Sequence, residues 1–340
     1  RNGKKAERFG KQRKGINGER KCNQTNGRKK ERRSSPSLDG RKQETKRAGS
    51  KRVKSALVVQ GGGMRGIFSA GCLIALHELG LSEAFDAVYG SSGGAMNAAY
   101  LLSDQPKFGT SIYYEDINNS KFINLLRINK IVDIDYLFDD VVMQKKPLDA
   151  GKVIGSKTPL YFFVTDIEEG AAKRFSSKSC DNFLKSLKAS CALPVYYNKP
   201  VFVEGKGYID GGICKAIPVQ DAIDDGCTDI LVLLTQPVKG EANFFEKFLV
   251  KKSLSKFGSK LVDAFLTGSN EYCYALDVSL GNVKIKNKVN IATVVPDSSF
   301  RLNRLTKSEK LLKSAAIGGA KGIFNLFDEE YDESSILRYN

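Results

Sequence analysis

Histidine is nearly absent from this chain: His77 is the one example among 340 residues. Any chemistry that needs an imidazole has a single candidate to supply it. Long apolar runs are missing too. The longest, such as Ile230-Leu231-Val232-Leu233-Leu234, fall far short of the ~18 residues a membrane-spanning helix needs, and they suit buried strands. The seven cysteines (Cys22, Cys72, Cys180, Cys191, Cys214, Cys227, Cys273) are odd in number and show no C-x-x-C spacing. That argues against a disulfide framework or a zinc site and for reduced thiols in a reducing compartment. The expected location is therefore intracellular, either cytoplasmic or peripheral to a membrane. The sequence opens on Arg1 rather than Met, so targeting is not read from it.

Acidic residues are scarce in one stretch only. Residues 1–54 hold 21 Lys and Arg against 5 Asp and Glu, which accounts for the whole formal charge of +16. The other 286 residues balance, 33 against 33. The basic stretch has almost no apolar side chains to offset the entropy of ordering it, so it reads as a disordered tail. Such a tail is attracted to anionic lipid, at about 1 kcal/mol per basic residue near the surface. Nucleic acid is the lesser candidate, and a merely solvated extension is the plain alternative. With 41% apolar residues in the chain, the remainder has enough to build a sizeable core.

From Ser55 onward, short β-rich runs alternate with helical patterns, the signature of a parallel α/β sheet. Strands are expected at Ala56–Val59, Phe85–Tyr89, Tyr161–Val164, Asp229–Thr235 and Val289–Val295. Helices are expected over 66–79, 94–102, Phe183–Ser190 and 306–326, with a mixed, mainly helical region over 104–158. Val201–Val203 and Tyr208-Ile209 flank Gly205-Lys206-Gly207 as a hairpin. Leu254, Phe257, Leu261, Val262, Phe265 and Leu266 share one helical face, with Lys252, Lys256 and Lys260 opposite, so 252–266 reads as a basic amphipathic helix. Packing against the domain is favoured for it over lying on a membrane. The expected architecture is one catalytic domain over 55–328, a three-layer α/β/α sandwich with a mainly parallel central sheet, followed by an extension over 329–340.

Two glycine-rich turns follow strands and open helices. Gly90-Ser91-Ser92-Gly93-Gly94 fits G-x-S-x-G, and in a strand–turn–helix setting this is a nucleophile elbow that holds Ser92 exposed at a helix N-terminus. Gly61-Gly62-Gly63-Met64-Arg65-Gly66 satisfies G-x-G-x-x-G. A dinucleotide site would want an acid at the carboxyl end of the next strand, but Asp86 lies near the amino end and the serine elbow occupies the other. A P-loop would need Gly-Lys-Ser/Thr, which is absent. What remains is a run of unhindered N–H groups suited to an oxyanion. His77 precedes Ser92 by fifteen residues, whereas the histidine of an α/β-hydrolase follows its serine. The base must then be a carboxylate or a lysine, and Ala95 stands where S-x-x-K would place the lysine. Asp210-Gly211-Gly212, after a strand, is the best acid candidate; on its own it also reads as a plain Asp-Gly turn. Asp166, after another strand, competes with it.

Over residues 55–235 these motifs resemble, in order, those of patatin-like phospholipases, most closely the stand-alone bacterial-type branch. Gly61–Gly66 looks like their oxyanion loop with its Arg, Gly90–Gly94 like their elbow, and Asp210-Gly211-Gly212 like their D-G-G/A. Ser190-Cys191-Ala192-Leu193-Pro194 is similar to their S-x-A-x-P stretch. The resemblance implies a Ser92–Asp210 dyad without a histidine, metal or cofactor, acting on a lipid or acyl ester through an acyl-enzyme. Backbone N–H groups near Gly62, Gly63 and Met64 would hold the oxyanion, with Arg65 adding positive charge. Acyl transfer or thioester cleavage by the same dyad is one alternative. A non-catalytic, basic-tailed binding protein for membrane or nucleic acid is the other.

Deleting residues 1–54 is expected to leave hydrolysis of a soluble short-chain ester nearly unchanged. The same deletion should weaken binding to anionic vesicles, most at low salt, where the Debye length is longest. Sedimentation with vesicles at two ionic strengths measures both effects.

Overall fold

The computed structural model describes residues 53–127, 130–237, 250–285 and 288–338. The expectation for the tail over 1–54 falls almost entirely outside them. Among the described residues, eight strands form one sheet: β1 Ser55–Val59, β2 Ala87–Ser91, β3 Leu160–Asp166, β4 Ala171–Ser176, β5 Val201–Val203, β6 Lys206–Asp210, β7 Asp229–Leu233 and β8 Asn290–Val294. The helices that matter are α1 Ile67–Glu78, α2 Gly93–Leu102, α3 Pro106–Ser111, α4 Ala150–Gly155, α5 Phe183–Ser190, α6 Val219–Asp224, α7 Ser259–Ser279 and α8 Glu309–Leu326.

The sheet runs β5-β6-β3-β2-β1-β7-β8, with β4 also paired to β3. Pairings among β1, β2, β3, β7 and β8 are parallel, and those of β4, β5 and β6 are antiparallel. Alternation along the central strands feeds two cores. Leu57, Val59, Val88, Leu231 and Leu233 join one apolar cluster, while Ala56, Val58, Tyr89, Ile230 and Val232 join another on the opposite face. Helices α1, α2 and α8 contribute to the first and α6 and α7 to the second. The result is the expected mixed α/β sandwich with a mainly parallel sheet between helical layers. Each fully buried Val or Leu contributes about 1.5–3 kcal/mol, so strands covered on both faces anchor the whole molecule.

Several details differ from the sequence reading. Strand β2 reaches two residues further than expected, to Ser91, because its partner β3 pairs with it there. Strand β4 was not expected. Its sequence Ala-Ala-Lys-Arg-Phe-Ser is largely exposed and has no apolar alternation, and it is a strand because it pairs along β3. The hairpin turn is Glu204-Gly205, both at positive φ (51° and 81°), the type I′ geometry that matches strand twist. Strand β6 therefore starts at Lys206.

The expected single helix over 252–266 is broken. Helical residues 250–254 and a 3₁₀ turn at Ser255–Phe257 end at Gly258, whose φ of 114° interrupts the path before α7 begins. Most of its apolar face packs on the domain all the same: Leu254 and Leu261 are buried, with Phe257, Val262 and Phe265 against them, while Leu266 is exposed.

Helix α8 lies directly on α1. A Cβ on Gly71 would sit 1.9 Å from Ala316 O, and one on Gly319 would sit 2.0 Å from Phe68 O, so the two backbones touch. Residues beyond α8 return to the same surface, where Tyr331 stacks on Phe324 at 4.9 Å and Ile336 is buried.

Gly71→Ala is expected to destabilise the fold by about 2–3 kcal/mol, since the methyl group meets fixed backbone rather than a movable side chain. Urea denaturation of the two proteins measures it, and an unchanged midpoint would contradict this helix contact.

Candidate active site

Strand β2 carries Gly90 and Ser91 to its carboxyl end, and Ser92 then turns into α2 with φ 55° and ψ −138°. That backbone is unusual for a residue with a side chain and costs about 1–3 kcal/mol. Its neighbours hold it. The Ser92 N–H donates to Ser190 Oγ at 3.0 Å, and Ser190 Oγ donates to Phe163 O at 2.7 Å. The Ser92 carbonyl accepts from the Ala95 N–H at 2.9 Å to start the helix. Gly94 is required because a Cβ there would lie 2.3 Å from Val59 O. The half-buried Ser92 hydroxyl thus sits at a helix N-terminus, where the dipole favours developing negative charge.

Asp210 arrives from the other direction. On one edge β3 pairs with β4 through residues 161–166. On its other edge, residues 160–163 pair with β2 in parallel, and residues 164–166 pair with β6 antiparallel. Strands β2 and β6 therefore share that edge end to end, and their carboxyl ends meet. Ser92 Oγ donates to Asp210 Oδ2 at 2.6 Å, a length typical of a hydroxyl bound to a carboxylate. Asp210 Oδ1 accepts from the Gly212 N–H at 2.7 Å, in the 3₁₀ turn Gly211–Ile213. Thr165 Oγ1 donates to Asp210 O at 3.0 Å. Burial raises the Asp210 carboxyl from 3.8 to about 6, against the lowering pull of the Ser92 hydroxyl, the Gly212 N–H and the Arg304 cation.

The glycine loop packs on this pair. A Cβ on Gly61 would lie 2.7 Å from Ser92 Cβ, so only glycine admits the loop so close to the hydroxyl. Thr235, two residues beyond β7, secures it by donating from Oγ1 to Gly61 O at 2.5 Å, while its N–H donates to Gln60 Oε1 at 2.7 Å. Asn97 Nδ2 donates to Gly66 O at 2.9 Å. Among the described residues the N–H groups of Gly62 and Gly63 donate to no acceptor, whereas the Met64 N–H donates to Arg304 O at 3.2 Å. Arg65 Nη1 donates to Gln236 Oε1 at 2.6 Å, and Arg304, not Arg65, is the cation that acts on Asp210. Arg304 lies in a loop before α8 where sequence reasoning found no motif. Its one signal was a basic residue in a segment without structural assignment.

A small apolar cavity of about 60 Å³ adjoins Ser92. Met96, Tyr113, Phe122, Val132, Leu137 and Leu193 are among its walls, with Arg304 at the polar end. Cys191 lines it too, its thiol pushed up by burial and then by the Asp210 charge. The remaining candidates stand elsewhere. His77 Nδ1 faces Ser82 Oγ at 3.2 Å near the far end of α1, about 15 Å along the helix from the glycine loop at 1.5 Å per residue. Asp166 Oδ1 accepts from the Glu168 and Glu169 N–H groups at 2.9 and 3.0 Å, forming the turn into β4. Among the described residues no three His, Cys, Asp or Glu side chains converge, and no helix is long and apolar enough to cross a membrane.

Residues 57–223 match the family model of patatin-like phospholipases, so this span, which holds both Ser92 and Asp210, is a patatin-like phospholipase domain. The chain is 30% identical over 186 residues to the uncharacterised protein YjjU of Escherichia coli K12, across 54% of this chain and 52% of that one. It is 26% identical over 172 residues to mouse 1-acylglycerol-3-phosphate O-acyltransferase Pnpla3, across 49% of this chain and 41% of that one. It thus spans about half the length, or less, of these curated relatives. Among solved structures, VipD from Legionella pneumophila aligns at a TM-score of 0.48 and 14% identity, over 81% of this chain and 67% of that one.

Because burial holds Asp210 above its ordinary value, ionising it costs the folded state. The stability carried by the protonated form is full below about pH 3.8 and is lost as pH rises through about 6. Asp210→Asn cannot ionise, so its stability relative to the parent is expected to rise by up to about 3 kcal/mol between pH 4 and 8. Parallel urea titrations at the two pH values measure the difference, and a constant gap would contradict the buried carboxylate.

Proposed function

We propose that this protein is a serine acyl hydrolase of lipid esters. The contact of Ser92 Oγ with Asp210 Oδ2 at 2.6 Å, beside an apolar cavity, carries this reading. Ser92 Oγ attacks the ester carbonyl carbon as its proton passes to Asp210. The tetrahedral oxyanion is held by the N–H groups of Gly62 and Gly63. Collapse expels the alcohol, which takes the proton back from Asp210, and leaves an acyl-serine. Water then attacks with Asp210 again as base, and the fatty acid leaves. Loss of one oxyanion donor typically costs about 3–4 kcal/mol, so the glycine loop matters as much as the base. Arg304 lowers the cost of keeping Asp210 ionised, and the cavity takes up the acyl chain.

A second reading is acyl transfer, favoured by the similarity to mouse 1-acylglycerol-3-phosphate O-acyltransferase Pnpla3. The same acyl-serine would be resolved by an alcohol instead of water. Product analysis with 1-acylglycerol-3-phosphate present separates the two outcomes.

Ser92→Ala is expected to abolish ester hydrolysis and fluorophosphonate labelling while the fold persists. Asp210→Asn should lose about 10²–10⁴-fold in rate, and His77→Ala should stay within a few-fold. In the parent, rate should fall as pH drops through about 6, where Asp210 becomes protonated. Turnover surviving in Asp210→Asn but lost in His77→Ala would refute the dyad.

A further inference from the structure

The two most exposed leucines of the described residues stand side by side. Leu125 is 70% and Leu126 is 90% exposed. They occupy the two corner positions of a β-turn, closed by the Arg127 N–H donating to Asn124 O at 3.2 Å. Such corners favour Gly, Asn, Asp, Ser or Pro, and leucine there gains nothing for the fold. The turn is nevertheless well held. Asn124 Oδ1 accepts from the Leu126 N–H at 3.0 Å. Arg127 clamps the base, with Nη1 on Asp133 Oδ2 at 3.0 Å and Nη2 on the Lys121 and Phe122 carbonyls, both at 2.9 Å. Ile123 and Val132 pair as an antiparallel bridge. The leucines thus stand at the tip of a hydrogen-bonded turn, pointing away from the core.

Phe122 and Val132, at the base of this turn, are walls of the cavity beside Ser92. We propose that Leu125 and Leu126 insert into a lipid surface and bring the cavity wall to the membrane from which the substrate is drawn. The source of substrate rests on the lipid-ester reading above; the insertion itself does not. Two observations select lipid over protein. Beside the leucines Lys121 is exposed and suited to an anionic headgroup, whereas Arg127 and Lys130 are already paired with Asp133 and Asp135. Each side of a stable protein pair buries about 800 Å², far more than two leucines on one turn present, whereas a few inserted apolar side chains suffice for interfacial binding. The stretch over 252–266 is a poorer anchor, since Leu254 and Leu261 are buried in the domain.

The chain has no tryptophan, so a single one placed by substitution reports on its own surroundings. In full-length protein carrying Ser92→Ala, vesicles of phosphatidylcholine with a minority of phosphatidylglycerol should shift the emission of Leu126→Trp to the blue. Brominated acyl chains should quench it. Tyr274→Trp, at a 45% exposed position on α7, should do neither. Replacing Leu125 and Leu126 together by Asn should weaken vesicle partitioning by about tenfold or more. With Ser92 restored, that pair of changes should alter hydrolysis of a soluble short-chain ester by less than about twofold. Unchanged partitioning, or emission from Leu126→Trp that stays solvent-like on bound protein, overturns the proposal. So does self-association of the parent, seen by light scattering and lost in the double variant, with vesicle binding equal in both. Absence of esterase activity in every form would sink the hydrolase reading and leave the vesicle result standing.

Discussion

Strand β3 offers one edge to two partners in succession, and the site follows from that. Parallel β2 ends where antiparallel β6 begins its pairing, so two carboxyl termini of strands meet head to head. Both strands then leave the sheet through glycine-containing turns, and their next functional groups, Ser92 Oγ and Asp210 Oδ2, are 2.6 Å apart. No loop has to reach across the molecule to bring them together. The precision comes from backbone hydrogen bonds along β3, among the least deformable interactions in the protein. Even the strained turn at Ser92 is borne by groups that β3 positions, through Ser190 and Phe163 O.

This geometry has an electrostatic consequence. A carboxylate brought to the end of a buried strand loses its water, and burial pushes the Asp210 carboxyl up. The Ser92 hydroxyl, the Gly212 N–H and the Arg304 cation pull against it, and the net value is about 6. That value lies close to neutrality, which suits the general-base role proposed for Asp210. Burial, not these contacts, is what costs stability at Asp210, and on the proposed reading that cost is exchanged for reactivity.

The glycine loop depends on distant parts of the chain. Thr235 secures it from just beyond β7, and Arg304 accepts the Met64 N–H from the segment before α8. That segment lies beyond residues 57–223, the span matched by the family model. It leads directly into helix α8, which packs backbone to backbone on α1. The loop and its C-terminal support act as one unit: the first leaves two N–H groups open beside Ser92, and the second fills a third.

Much of this was legible in the residues. The central strands declared themselves through apolar runs between glycine turns, because a strand buried on both faces has no room for polar alternation. The elbow was visible because a sharp strand-to-helix turn tolerates only small neighbours around its serine. The scarcity of histidine left a carboxylate or a lysine as the base, and the resemblance of Asp210-Gly211-Gly212 to the family's D-G-G/A singled out Asp210. Other features had no local signal. Strand β4 is polar and exists through its partner; the break at Gly258 depends on a backbone angle; Leu125 and Leu126 lie in a stretch read only as mixed and mainly helical, and the turn places them outside. Arg304 was the clearest limit: nothing in its segment marks it, yet it is the cation that lowers the Asp210 carboxyl. Local pattern determined the elements and the reactive residue types, because strands, turns and helix starts are set by neighbours within a few positions. Tertiary structure alone decided which groups meet, because charge and hydrogen bonding act through distance in space, and the chain brings residues 65 and 304 to one loop only when folded.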